Sequence, residues 1–374
     1  MRGARRLAAA LGLALLLAAC GISIEEEEAT PEPGQPVVVV RPTPGTPAAS
    51  VEPATPSSAG MPSCYQPTPQ EPAVEGTPEP PSERIARPGA MPTPSHYEPL
   101  PLQEDATLEA RLRQALGDEV EAYGVVVKSL DDGRGALINP DKVFYAASLF
   151  KVAVMYEVFH QQALGLLSFD ERLLVTPYYA GFDLGTLPVE VCQTLSIGEA
   201  LGYMMSISDN TSAVLLQDRV GSANINRSLE ALGLTTTRLL PDDLPTTAAD
   251  MALLMEMIAR GEAVDAGASQ EMVNLLTSEE IDNGLRAGVA SAEGGRAAGE
   301  RGEGTLVAHK TGNWSNATHD AGIVYLPAGQ AGSPAGTYVI AVLSEKAYET
   351  ELTAEVSRVV WEYYNGAIGG EEGE

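Results

Sequence analysis

Proline is spread so unevenly along this chain that no single core can include all of it. Twenty of the 27 prolines fall between Pro31 and Pro101. Proline donates no backbone hydrogen bond and interrupts both helix interiors and central strands. The surrounding Thr-, Ala- and Glu-rich sequence cannot bury enough apolar surface to offset chain entropy. Residues 21–104 are therefore expected to form a disordered linker, with a folded domain over 105–366 and an acidic tail over 367–374. Over 30–101 a flexible coil would span roughly 45–50 Å, and a fully extended polyproline chain on the order of 220 Å. The role expected of the linker is reach.

Charge narrows the possible partners. The net charge is -28, and residues 105–374 alone hold 39 acidic against 17 basic groups. Such a field repels phosphate backbones, so nucleic acid is excluded as a partner. Any membrane contact must then be covalent or hydrophobic. Arg2, Arg5 and Arg6 precede an apolar run, Leu7–Leu17, which is too short to span a bilayer. The run leads into Leu17-Ala18-Ala19-Cys20. This phrase resembles the lipobox of bacterial lipoprotein signals, with a plain secretory signal as the looser match. The resemblance implies a signal peptide over 1–20 and acylation of Cys20, hence an exported lipoprotein anchored on the extracytoplasmic face. Export would permit a Cys64–Cys192 disulfide, and two free thiols are the other option. His96, His160, His309 and His319 are scattered, and no Cys/His cluster has metal-ligand spacing, so no metal or other cofactor is expected.

Past Asp105 the pattern is that of a globular domain. Leu108, Leu112, Ala115 and Leu116 follow helical spacing. Gly124–Ser129 and Ala136–Ile138 read as strands around an Asp131-Asp132-Gly133 turn. Ser148–Leu164 reads as a helix that is apolar on nearly every face, and such a helix belongs in a core. It nevertheless carries Lys151, and an unpaired buried ammonium is very costly. Ser148 lies three residues earlier, on the same face, at the helix start where developing negative charge is favoured. A serine beside a desolvated lysine is an activated nucleophile. Taken alone, the pair reads rather as a capping serine and a snorkelling lysine.

Two further phrases change that balance. Ser196–Glu199 resembles a capping box that opens a helix through Met205. Ser208-Asp209-Asn210 then occupies a short loop before a helix over Thr211–Val220. Leu306–Thr311 reads as a strand ending at Lys310-Thr311-Gly312, with Ala321–Leu326 and Thr337–Ser344 as antiparallel partners. In order, Ser148-Leu149-Phe150-Lys151, Ser208-Asp209-Asn210 and Lys310-Thr311-Gly312 resemble the signature set of class A β-lactamases and penicillin-binding proteins. The phrases SDNTSAVLL, GLTTTRL and HDAGIVY add to the likeness, which covers 105–366.

The resemblance implies an α/β (α+β) fold. An antiparallel five-stranded sheet, flanked by the first helix and the last (Thr350–Tyr364), packs on a mostly helical part over about 144–300. The site falls at the junction. The resemblance further implies that Ser148 is acylated, that Lys151 is its base or proton relay, and that Ser208 protonates the leaving nitrogen. Asn210 would bind the substrate's side-chain amide, Lys310 would supply positive potential, and Thr311 would bind the substrate carboxylate. Backbone N–H groups of Ser148 and Asn313, beside Gly312, would form an oxyanion hole. The implied partner is a β-lactam or a peptidoglycan-derived small molecule, met by a monomer.

Two departures qualify this. The family's deacylating glutamate phrase, E-x-x-L-N, does not occur between Asn210 and Lys310, and the loop through Arg238–Pro245 looks about a dozen residues short. By count from Arg238 the glutamate's place falls on Asp243, which is either a shorter base or part of a solvated turn. The arginine many relatives place before Gly322 is also missing, where this chain has Asp320 and Ala321. Three functions therefore stand open: a β-lactamase with full turnover, an acylating enzyme of the penicillin-binding kind, and a non-catalytic wall-binding lipoprotein.

Overall fold

The computed structural model describes residues 92–183, 190–294, 304–327 and 336–366. The signal segment with Cys20, Cys64 and the acidic tail lie outside the described residues.

The chain enters through β1 (Gln103–Glu104), α1 (Ala106–Leu116) and the hairpin β2 (Tyr123–Ser129) and β3 (Arg134–Ile138). A two-residue strand β4 (Phe144–Tyr145) precedes the central helix α2 (Phe150–Ala163). Then follow β5 (Arg172–Leu174), α3 (Pro177–Ala180), β6 (Thr194–Ser196), α4 (Ile197–Ser206), α5 (Asn210–Val220) and α6 (Ser222–Leu232). After a loop come β7 (Pro245–Thr246), α7 (Ala248–Ala259), α8 (Ala266–Thr277) and α9 (Leu285–Ala292). The last segment is β8 (Leu306–Trp314), β9 (Ala317–Tyr325), β10 (Thr337–Ser344) and α10 (Thr350–Tyr364).

The main sheet runs β1-β3-β2-β10-β9-β8. Its last five strands are antiparallel neighbours, as expected. The sixth, β1, is an addition that pairs parallel to β3. Side chains of a strand alternate between faces. In β10, Val339, Ala341 and Leu343 join the core of the helical part, while Tyr338, Ile340 and Val342 join a second core. That second core is closed by α1, α9 and α10 through Leu112, Leu285, Val289, Val356 and Val360. Both faces are covered, which is why TYVIAVLS reads as continuously apolar.

Three expectations need correction. Residues 97–104 belong to the domain, not to the linker. Tyr97 is buried, its hydroxyl donates to Glu256 Oε1 at 3.1 Å, and Leu100 N donates to the same oxygen at 2.7 Å. Glu256 also pairs with Lys128, whose Nζ donates to Leu100 O at 2.9 Å. This proline-rich stretch thus supplies the polar partners that a buried ion pair requires. Second, β8 does not end at Lys310-Thr311-Gly312 but runs on to Trp314. Third, the turn Ala147–Leu149 that leads into α2 is a tighter 3-10 helix, and no side chain caps either helix start. Ser148 is therefore not a capping serine.

Candidate active site

Ser148 sits where the apolar helix begins. Ala147, just before it, has φ of +46°, and Ser208 has φ of +58°. Non-glycine residues in the left-handed region cost on the order of 1–3 kcal/mol each and collect at functional sites. Lys151, one turn into the helical segment, is fully buried, as are its neighbours through Gln161. It therefore cannot snorkel.

The Lys151 ammonium gathers the first two motifs around one nitrogen. Nζ lies 3.1 Å from Ser148 Oγ, 3.0 Å from Ser208 Oγ, 2.6 Å from Ser208 O and 2.8 Å from Asn210 Oδ1. Asp209 caps α5 by accepting from Ser212 N at 2.6 Å. Burial, aided by Lys310 and opposed by Asp209 and Glu279, lowers the Lys151 pKa to about 7. A neutral amine has two N–H donors and one lone pair. The carbonyl oxygens of Ser208 and Asn210 take the two donors. The lone pair is then left for a hydroxyl proton of Ser148 or Ser208.

The third motif lies on β8, the edge strand of the sheet among the described residues. A Cβ built on Gly312 would lie 3.1 Å from Ala146 O and 3.3 Å from Leu149 N. A glycine lets the strand approach the Ser148 turn this closely. On an edge strand alternate N–H groups point outward. Thr311 N points out and donates to Glu279 Oε2 at 3.1 Å. By the same alternation Asn313 N, two residues on, shares that direction.

Lys310 and Thr311 are occupied. Lys310 Nζ and Thr311 Oγ1 each donate to Glu279 Oε1 at 2.7 Å. All three residues are buried. The positive potential expected of Lys310 is thus paired locally. Asp320 lies buried against His309 Nδ1 at 2.9 Å and accepts from Leu285 N at 2.8 Å.

Asp243 is exposed, and its carboxylate accepts from its own neighbour, Leu244 N, at 2.8 Å. The short loop does reach the site by its backbone, since Ala146 N donates to Leu244 O at 2.7 Å. Asp250 clamps the start of that loop, accepting from the backbone N of Thr235, Thr236 and Thr237 and from Thr237 Oγ1 at 2.6–3.2 Å. His319 holds the turn from the sheet side. Its Nδ1 accepts from Ser344 N, so Nε2 carries the proton and donates to Tyr145 O at 2.8 Å. Burial pushes its pKa down to about 4 and keeps the ring neutral.

Sequence reasoning missed Glu279, Asp250 and His319. The GLTTTRL phrase marks the loop that Asp250 holds but not its holder. Nothing local marks Glu279. Cys192 is disulfide-bonded, which settles its half of the open pairing; the chain's other two cysteines lie outside the described residues. Among the described residues no cluster of His, Cys, Asp or Glu is arranged to hold a metal, and no helix is long and apolar enough to cross a membrane.

Residues 107–364 match the model of the beta-lactamase enzyme family. The extended-spectrum beta-lactamase PER-1 of Pseudomonas aeruginosa is 26% identical over 259 residues, 61% of this chain and 82% of PER-1. The solved structure of PBP-A is 26% identical with a TM-score of 0.63, covering 71% of this chain and 99% of that one. A PBP-A variant has been solved as an acyl-enzyme complex with penicillin G, with the same identity and TM-score over 72% of this chain and 100% of that one. An ancestral class A beta-lactamase shares the fold at 24% identity and a TM-score of 0.58, over 68% of this chain and 99% of that one.

Proposed function

The chain belongs to the beta-lactamase enzyme family and is a serine hydrolase of the class A type, and from that premise we propose that it acylates on Ser148 rapidly and releases the acyl group slowly. The observation that carries this is the single buried Lys151 nitrogen within 3.1 Å of Ser148 Oγ and 3.0 Å of Ser208 Oγ. Neutral Lys151 takes the Ser148 hydroxyl proton as Oγ bonds to the substrate carbonyl carbon. The carbonyl oxygen becomes an oxyanion facing the N–H groups of Ser148 and Asn313, each donor worth about 3–4 kcal/mol. When the C–N bond breaks, the leaving nitrogen takes the Ser208 proton, and Lys151 returns its proton to Ser208. Water then hydrolyses the ester to free acid and Ser148.

The last step is the slow one in this reading. The loop carboxylate at the expected count, Asp243, is exposed and bound to the backbone N–H of Leu244, and a general base must be placed on its water. PBP-A supports the reading, since a variant of it is known as a penicillin G acyl-enzyme. The substrate class is a β-lactam or a related amide or ester of cell-wall type. A lipid anchor at Cys20 and an extracytoplasmic location are part of the proposal, supported by the Leu17-Ala18-Ala19-Cys20 phrase.

Fluorescent-penicillin labelling and pre-steady-state nitrocefin kinetics test this. We expect a burst equal to the enzyme concentration followed by slow turnover, with no label on Ser148→Ala. Labelling that survives the substitution would sink the nucleophile. Fast turnover that Asp243→Asn halts at the acyl-enzyme would make Asp243 the deacylation base.

A further inference from the structure

Glu279 stands where a substrate carboxylate would be expected. It lies on the outer edge of β8, among three donors of the third motif: Lys310 Nζ at 2.7 Å, Thr311 Oγ1 at 2.7 Å and Thr311 N at 3.1 Å. A bound carboxylate could use the same ammonium and the same hydroxyl. Glu279 is held there by its own segment. Arg286 donates to Glu279 O at 2.6 Å, to Thr277 O at 3.1 Å and to Asp282 Oδ1 at 2.6 Å. Glu280 N donates to Ser206 O at 2.8 Å, tying the segment to the end of α4 just before Ser208.

Electrostatics points the same way. A second carboxylate entering this subsite would meet a like charge in a buried setting, where such repulsion is weakly screened. The arginine that many relatives place before Gly322 is absent, where this chain has Ala321 and Asp320, the latter paired to His309. The surrounding domain is strongly acidic.

We infer that the carboxylate subsite of this enzyme is filled from within by Glu279, which makes it a specificity residue favouring neutral amides or esters over substrates with a carboxylate beside the scissile bond. The inference rests on acylation at Ser148. Glu279 also balances the buried Lys310 charge, so loss of activity on mutation would not separate the two roles. A substrate-charge ratio does.

The probes are benzylpenicillin and its methyl ester, which differ only in that carboxylate. Second-order rate constants for the Ser148 adduct would be read by intact-protein mass spectrometry on the full chain. The unmodified protein should acylate with the ester at least as fast as with the acid. Glu279→Gln should shift the acid-to-ester ratio about tenfold toward the acid, the equivalent of one hydrogen bond to a charged group. Glu279→Asp, which keeps the charge, should stay near the original ratio. An acid that outpaces its ester on the unmodified protein overturns the inference, and so does an unchanged ratio in Glu279→Gln. The first comparison decides the matter even if Glu279→Gln does not fold. Absence of an adduct with both probes instead overturns the Ser148 reading itself.

Discussion

Lys151 was legible because an ammonium inside an apolar helix demands a partner, and the three-residue spacing names Ser148. Its environment sets a testable pH dependence. The folded pKa is lowered to about 7, so the amine is protonated below that pH and a free base above it. Acylation should fall about tenfold per pH unit below 7 and level off above it. Lys151→Arg, which keeps the charge at all accessible pH values, should lose about a hundredfold or more in acylation rate. A flat rate between pH 5.5 and 8.5, measured with one fluorescent penicillin, would contradict the role. Glu279 was not legible, because its partner Thr311 lies 32 residues away and nothing in the intervening sequence announces the contact. His319 was noted only as a lone histidine. Its function as a neutral tie depends on Ser344 N and Tyr145 O, which only the sheet brings together.

Elements with caps and periodicity were read within a residue or two, since Asp209, Ser196 with Glu199, and Gly221 each mark a helix end by local chemistry. Errors arose where tertiary contact outweighs local signal. Gly312 looks like a strand end but serves close approach, and the stretch 97–101 looks like linker but carries Tyr97 and Leu100 onto Glu256 and Lys128. The short loop before β7 shows the same dependence at a distance. Its conformation rests on Asp250, buried under three backbone amides and one hydroxyl. Asp250→Ala leaves those donors unmatched, and bonds to a charged acceptor are worth about 1.5–3 kcal/mol each. We expect a loss of at least about 3 kcal/mol in denaturant unfolding, with new proteolytic cleavage within 235–244. A change under about 1 kcal/mol would show that the loop holds itself.

For the whole molecule, the proposed anchor at Cys20 predicts that Cys20→Ser moves the protein out of the membrane fraction while penicillin labelling persists. Unchanged fractionation would place the anchor elsewhere. The fold fixes where a tethered chain would feel tension. The described chain enters through the Tyr97–Glu256 contacts and β1, and β1 is the opposite edge of the sheet from β8. Between them stand β3, β2, β10 and β9. Along the backbone, a pull from the N-terminal side meets the Tyr97 and Leu100 contacts to Glu256 first and the two-residue β1–β3 pairing next. Four strands separate that β1 edge from β8, so the backbone path in from the linker does not run through the seam between Gly312 and the Ser148 turn.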